Sequence, residues 1–234
     1  MQKDTQTFIG HLEELRQRII MCLIILSIGF IGFYFLVPFF LPYFIKPVGR
    51  LVFLSPAEAF VSRLMLALYG GIFLSAPFII FQFWRFVSSG LYPGERNVFV
   101  FFLLSSTLLF FTGVFIGFFI VLPVGIKFLM SFGNESVVPM ISVRKYISFA
   151  GGIVIVFGVV FQMPLIMLFL TRIGLVTPQY LSAKRKEAIL GIFILAAFIT
   201  PPDISTQLLL ALPMWGIYEV SIVFSSIASR RRNK

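Results

Sequence analysis

Apolar runs of bilayer length alternate along this chain with short segments that hold its charges. A hydrocarbon core of about 30 Å takes about 20 helical residues, so each run reads as a candidate span. The pattern predicts spans over about 19–37, 60–84, 98–122, 146–171, 188–200 and 205–225. The first stops at Pro38 and the third at Pro123. The second is kinked by Pro77, and its helix is prepared by Ser55-Pro56-Ala57-Glu58, which reads as an N-cap, an N1 proline and the glutamate of a capping box. The fourth contains Gln162 and Pro164. Pro201-Pro202 cuts the fifth off after 13 residues, about 20 Å of helix, which is too short for an ordinary bilayer. Six spans place both termini on one side.

Two further segments follow from the pattern. Before the first span, Phe8, Ile9, Leu12, Leu15 and Ile19 share one helical stripe, which predicts an amphipathic helix over about 5–18 lying on the membrane surface. The connection from Pro38 to Glu58 combines Pro38, Pro42, Pro47 and Pro56 with Phe39, Phe40, Tyr43, Phe44 and Phe53. Its prolines deny it a continuous helix, and its aromatic rings favour the headgroup level, so it is expected to lie along the interface or cap the bundle. No repeat relates the halves of the chain, which weighs against inverted-repeat transporters.

Composition agrees with spans and excludes a soluble domain. Of 234 residues, 59% are hydrophobic and 12% charged, against about a quarter charged in soluble proteins. Mean hydropathy is +1.02. The net charge of +10 is better explained by orientation than by nucleic acid. With the termini, the second-to-third and the fourth-to-fifth connections on one face, that face collects 13 of the 19 basic residues. The positive-inside rule makes it cytoplasmic. Some 18 polar or amphipathic residues precede the first span, and no cleavage pattern follows it, so it is expected to stay in the mature protein. One Cys and one His cannot furnish a disulfide framework or a Cys/His metal site. No catalytic motif is present, and no cofactor is expected. His11 reads as a packed or solvated residue and Cys22 as a small core hydrophobe.

The nine acidic residues are the scarcer signal. Glu14 and Arg18 have i,i+4 spacing, and an exposed pair of that kind is worth only about 0.3–0.5 kcal/mol. Gln162, in mid-span beside Pro164, could bond to a neighbouring helix or to carbonyls that the proline frees. Asp203 could cap the sixth helix, and Glu219 could reach the interface or pair with the terminal arginines.

Several ordered segments resemble one family. They are His11-Leu12-Glu13-Glu14-Leu15-Arg16-Gln17-Arg18, Phe81-Gln82-Phe83-Trp84-Arg85-Phe86, Leu91-Tyr92-Pro93-Gly94-Glu95-Arg96, Phe157-Gly158 through Pro164, and Thr200-Pro201-Pro202-Asp203 with Gln207. Together they resemble TatC, the core subunit of the twin-arginine protein translocase, across almost the whole chain. The resemblance implies an all-α membrane protein, a single polytopic domain over 1–234 whose six transmembrane helices form a cup-like, concave bundle. Its N- and C-termini lie in the cytoplasm and its fifth and sixth helices are short. It implies a receptor for Arg-Arg signal peptides, not an enzyme, in the inner membrane. Its partners would be single-span subunits of the TatA and TatB types, other copies of itself and membrane lipids, with folded cargo exported on the proton-motive force. Signal-peptide binding would fall to Glu14, Arg16, Phe86, Glu95 and Arg96, and partner-subunit contact to Gln162, Pro47, Asp203 and Gln207. Family members often carry Glu where this chain has Gln162, so no titratable role carries over there.

The chemistry suits that role. A guanidinium binds a carboxylate through two parallel bonds, and a lysine offers only a point charge. At an effective dielectric of about 20, one charge pair at about 4 Å is worth about 4 kcal/mol before desolvation, so two carboxylates on separate segments could count two arginines. The competing readings are a secondary transporter of small solutes, which predicts a paired repeat and broken helices meeting at the midplane where this chain offers a polar residue only at Gln162, and a membrane-embedded enzyme, whose catalytic pair is missing.

Overall fold

The computed structural model describes residues 2–49, 51–89, 96–131, 140–200 and 204–232. Their helices are α1 (Gln2–Ile45), α2 (Pro56–Ser89), α3 (Arg96–Ile116), α4 (Leu122–Met130), α5 (Val143–Val160), α6 (Met163–Arg172), α7 (Pro178–Ala183), α8 (Arg185–Ile199) and α9 (Ile204–Arg232), with a π-turn at Gly117–Val121. Among the described residues, five stretches are long and apolar enough to cross a membrane: Leu12–Ile45, Pro56–Val87, Phe99–Met130, Val143–Arg172 and Ile204–Ser229. With 15 residues, α8 is not one of them.

Prolines end fewer helices than expected. The first helix runs through Pro38 and Pro42 to Ile45. It also does not divide near residue 18 into a surface helix and a span, because no glycine or proline lies between Leu12 and Ile28 to interrupt the backbone bonds. The third run passes Pro123 and reaches Met130 by widening into the π-turn, where the Leu122 N–H donates to Gly117 O. Pro123 brings no N–H, and the wider turn separates its ring from the preceding carbonyls. The fourth run is two helices. At their junction the Phe161 N–H donates to Phe157 O at 3.0 Å and the Gln162 N–H to Val159 O at 2.9 Å. The sixth helix, expected to be short, is the 29-residue α9, which contains Pro213. Apolar surroundings account for this persistence: without water to take up freed backbone groups, losing one bond at a proline is better than ending the helix.

The described chain falls into two compact units. The first comprises Met1–Tyr43 and Arg63–Thr107. Here α1 and α2 pack backbone to backbone: a Cβ on Gly71 would lie 2.7 Å from the Phe30 Cα and N, so glycine is required. The Ser75 hydroxyl donates to Ile25 O at 3.1 Å across the same seam. Against α3, the Trp84 and Phe102 rings lie 4.6 Å apart, and both residues are buried.

The second unit comprises Phe44–Ser62 and Leu108–Lys234. Gly113 lets the third run approach α5, since a Cβ there would sit 2.5 Å from Phe157 O. The α6–α9 seam carries a hydroxyl pair, Thr171 and Ser225, at 2.6 Å. The proline-rich connection is partly anchored: Phe44 is buried, stacks on Phe118 at 5.5 Å and accepts the Tyr146 hydroxyl on its carbonyl at 2.5 Å. Phe53 and Leu54 remain exposed, as do Phe39 and Tyr43 on the last turns of α1 in the first unit.

Candidate functional site

Of the expected binding positions, Glu14 lies in the first unit, where α1 passes α2. Arg18 donates from Nε to Glu14 Oε1 at 3.1 Å and from Nη2 to the same oxygen. Its Nη1 donates to Gln82 Oε1 on α2 at 3.3 Å. This is not the solvated pair that spacing alone allows, for the Arg18 and Glu14 side chains are only 14% and 30% exposed. Gln82 is buried and directs its amide toward the Met21 sulfur. Phe86 lies one turn beyond Gln82 on α2 and is half-buried. Arg16 belongs to a looser pair, 3.5 Å from Glu13, with side chains 69% and 60% exposed. Arg96 opens α3, of which only the backbone is described there, and Glu95 lies outside the described residues.

The expected partner-contact positions are distributed through the second unit. Pro47 lies in the turn after α1 and is half-buried. Gln162 donates from its side chain to Gly158 O at 3.5 Å. This is the carbonyl that the Gln162 backbone would serve in a regular helix but leaves for Val159, so the side chain replaces the lost bond. Gln207 donates to Phe193 O at 2.9 Å and ties α9 to α8. Asp203 lies outside the described residues.

Two clamps escape sequence reasoning. Glu58, buried at the start of α2, accepts the Leu54 N–H at 2.7 Å, the Arg144 N–H at 3.0 Å and the Ser142 hydroxyl. It thus joins two connections, which also meet backbone to backbone: the Val52 N–H donates to Ile141 O and the Val143 N–H to Val52 O, each at 3.1 Å. The capping-box spacing points to Glu58 and to the Ser55 hydroxyl, which accepts the Glu58 N–H at 3.3 Å. The carboxylate, however, reaches back one residue further, to Leu54, and across to a segment 84 positions away. In the other clamp, Arg185 grips Glu219 with Nε at 2.8 Å and Nη2 at 2.9 Å, while the Tyr218 hydroxyl donates to Leu181 O at 2.8 Å. Glu219 therefore pairs with the first residue of α8. Beside it, a hydrogen bond from Lys184 holds the Glu187 carboxyl below the usual carboxylate range and pushes Lys184 up.

Among the described residues, no group of three or more His, Cys, Asp or Glu side chains is placed to hold a metal ion. At the α1–α2 contact a carboxylate, a guanidinium and an amide are joined by hydrogen bonds, with the half-buried Phe86 one turn further along α2.

Comparison with known proteins accounts for nearly all of this chain. Residues 10–213 match the family described as Sec-independent protein translocase protein (TatC). The TatC protein of Carboxydothermus hydrogenoformans is 40% identical over 227 residues, covering 95% of this chain and 93% of that protein. That of Aquifex aeolicus is 38% identical over 235 residues, covering 96% of each. A crystal structure described as the twin arginine translocase receptor TatC superposes with a TM-score of 0.89 at 36% identity, over 94% of this chain and 99% of that one. The same receptor in the detergent DDM gives 0.87, also at 36% identity, over 92% of this chain and 99% of that one. With a family match across most of its length and relatives above 30% identity at nearly full coverage, the chain belongs to the TatC family of Sec-independent protein translocase proteins.

Proposed function

We propose that this chain is the receptor and core subunit of a twin-arginine translocation system, binding signal peptides with two consecutive arginines. The observation that carries the reading is the half-buried Glu14 carboxylate, already engaged by a guanidinium at the α1–α2 contact. That pairing supports the reading, because a guanidinium is the group a twin-arginine peptide would bring. Glu95 is the second carboxylate of the reading. Arg16, Phe86 and Arg96 flank the peptide, and Gln162, Pro47, Asp203 and Gln207 meet single-span partners of the TatA and TatB types or other copies of the chain. The chain forms one polytopic domain in the inner membrane. Its six spans include the short α8, its termini are cytoplasmic, and its concave bundle admits the apolar stretch of the signal peptide. Folded cargo crosses on the proton-motive force.

Capture of the chain by immobilised Arg-Arg and Lys-Lys peptides tests this reading. Arg-Arg capture well above Lys-Lys capture is expected, and equal capture would overturn it. Glu95→Gln is expected to abolish Arg-Arg capture while leaving thermal unfolding unchanged. Normal capture by that variant would remove the loop from the site. Gln162→Leu is expected to reduce crosslinking to the single-span partner, and unchanged crosslinking would remove the partner contact.

A further inference from the structure

Glu14 is engaged before any peptide arrives. Two nitrogens of Arg18 donate to its Oε1, and a third donates to Gln82. One partner is on the same helix four residues back and the other is on α2, so the guanidinium is held from two sides. At 14% exposure, the Arg18 side chain has little contact with solvent. Its group is chemically the same as the one a twin-arginine peptide presents.

We propose that Arg18 is an internal competitor for the peptide's arginine, occupying Glu14 in the peptide-free receptor and setting the affinity that a peptide has to exceed. The proposal rests on Glu14 being part of the signal-peptide site. An incoming guanidinium that grips both oxygens of Glu14 has to take over the Oε1 that Arg18 holds, so the observed affinity is a difference between two similar interactions. Displacement is local, because Glu14 and Arg18 share one helix and their separation leaves the α1–α2 seam at Gly71 and Ser75 in place. The competitor enters every peptide's balance alike. It therefore weakens Arg-Arg and Lys-Lys peptides by the same factor, and the ratio between them is set by how each group fits the carboxylate.

Equilibrium binding of Arg-Arg and Lys-Lys peptides to the purified full chain in detergent, as wild type, Arg18→Gln and Arg18→Lys, tests the proposal. Arg18→Gln keeps an amide for Gln82 but removes the guanidinium bonds to Glu14 Oε1, and is expected to tighten both peptides by on the order of tenfold with the ratio preserved. Arg18→Lys retains a weaker competitor and is expected to tighten both by a smaller common factor. It carries the test if thermal unfolding shows that Arg18→Gln does not fold. Unchanged or weaker Arg-Arg binding by a folded variant would overturn the proposal and assign Arg18 to positioning Glu14, as would loss of the ratio. Failure of the receptor reading itself shows elsewhere, as absence of Arg-Arg preference in the wild type.

Discussion

Glu58 shows how much one carboxylate can organise. Its two oxygens meet the Leu54 and Arg144 N–H groups and the Ser142 hydroxyl, at a position where the side chain is buried. In Glu58→Gln one oxygen becomes an NH2 that faces donors, which leaves buried hydrogen-bonding groups unmatched at about 2 kcal/mol, or about 4–8 °C in the unfolding midpoint. Thermal unfolding in detergent checks this, and an unchanged midpoint would show that the clamp is dispensable. Local residue relationships were legible in the sequence: Ser55 with Glu58, and Glu14 with Arg18, follow from helical spacing. Their third partners were not. Ser142 and Gln82 are 84 and 64 positions away from the residues they touch, and no periodicity spans such a separation.

At the scale of the element, the apolar runs are helices as the pattern predicts, and α8 ends at Ile199, just before the expected stop at Pro201-Pro202, but the stops expected at Pro38 and Pro123 are not there. Pro38, Pro42, Pro123 and Pro213 all lie within continuing helices or one turn inside a new one. The pattern of side chains does not report whether water is present to take over a freed carbonyl, and that decides whether a helix stops. Glycines divide by what lies opposite them. Gly113 faces Phe157 O, whereas a Cβ on Gly191 in α8 would meet nothing within 4 Å. Gly113→Ala is therefore expected to lower stability by about 1–3 kcal/mol through overpacking, and Gly191→Ala to raise it by about 0.5–1 kcal/mol through helix propensity. Thermal unfolding of the matched pair checks both signs. The Arg185–Glu219 pair bridges α8 and α9. Arg185→Ala is expected to loosen the connection before α8, read as faster amide exchange over residues 173–184.

For the whole molecule, the class of protein was legible from the apolar runs and the family from ordered short motifs, and the family match bears both out. The division into two units was not legible, because α1, α2 and α3 each contribute residues to both and no break in composition marks the boundary. The sixth crossing proposed for α8 would have to manage with 15 residues, about 22 Å of helix. If local thinning of the bilayer aids export, inserting four apolar residues into α8 adds about 6 Å and is expected to reduce export of a folded reporter. Unchanged export would show that the short helix serves another purpose.

The break between α5 and α6 has a consequence of its own. The group that mends it, the Gln162 side chain reaching Gly158 O, is an amide with no acid form and no base form in water. The hinge therefore keeps the same bond whatever the acidity on either side of the membrane, and cannot store a proton from an energised gradient. In this chain the bend is a fixed joint, and any step that consumes protons has to act on groups other than the one that shapes it.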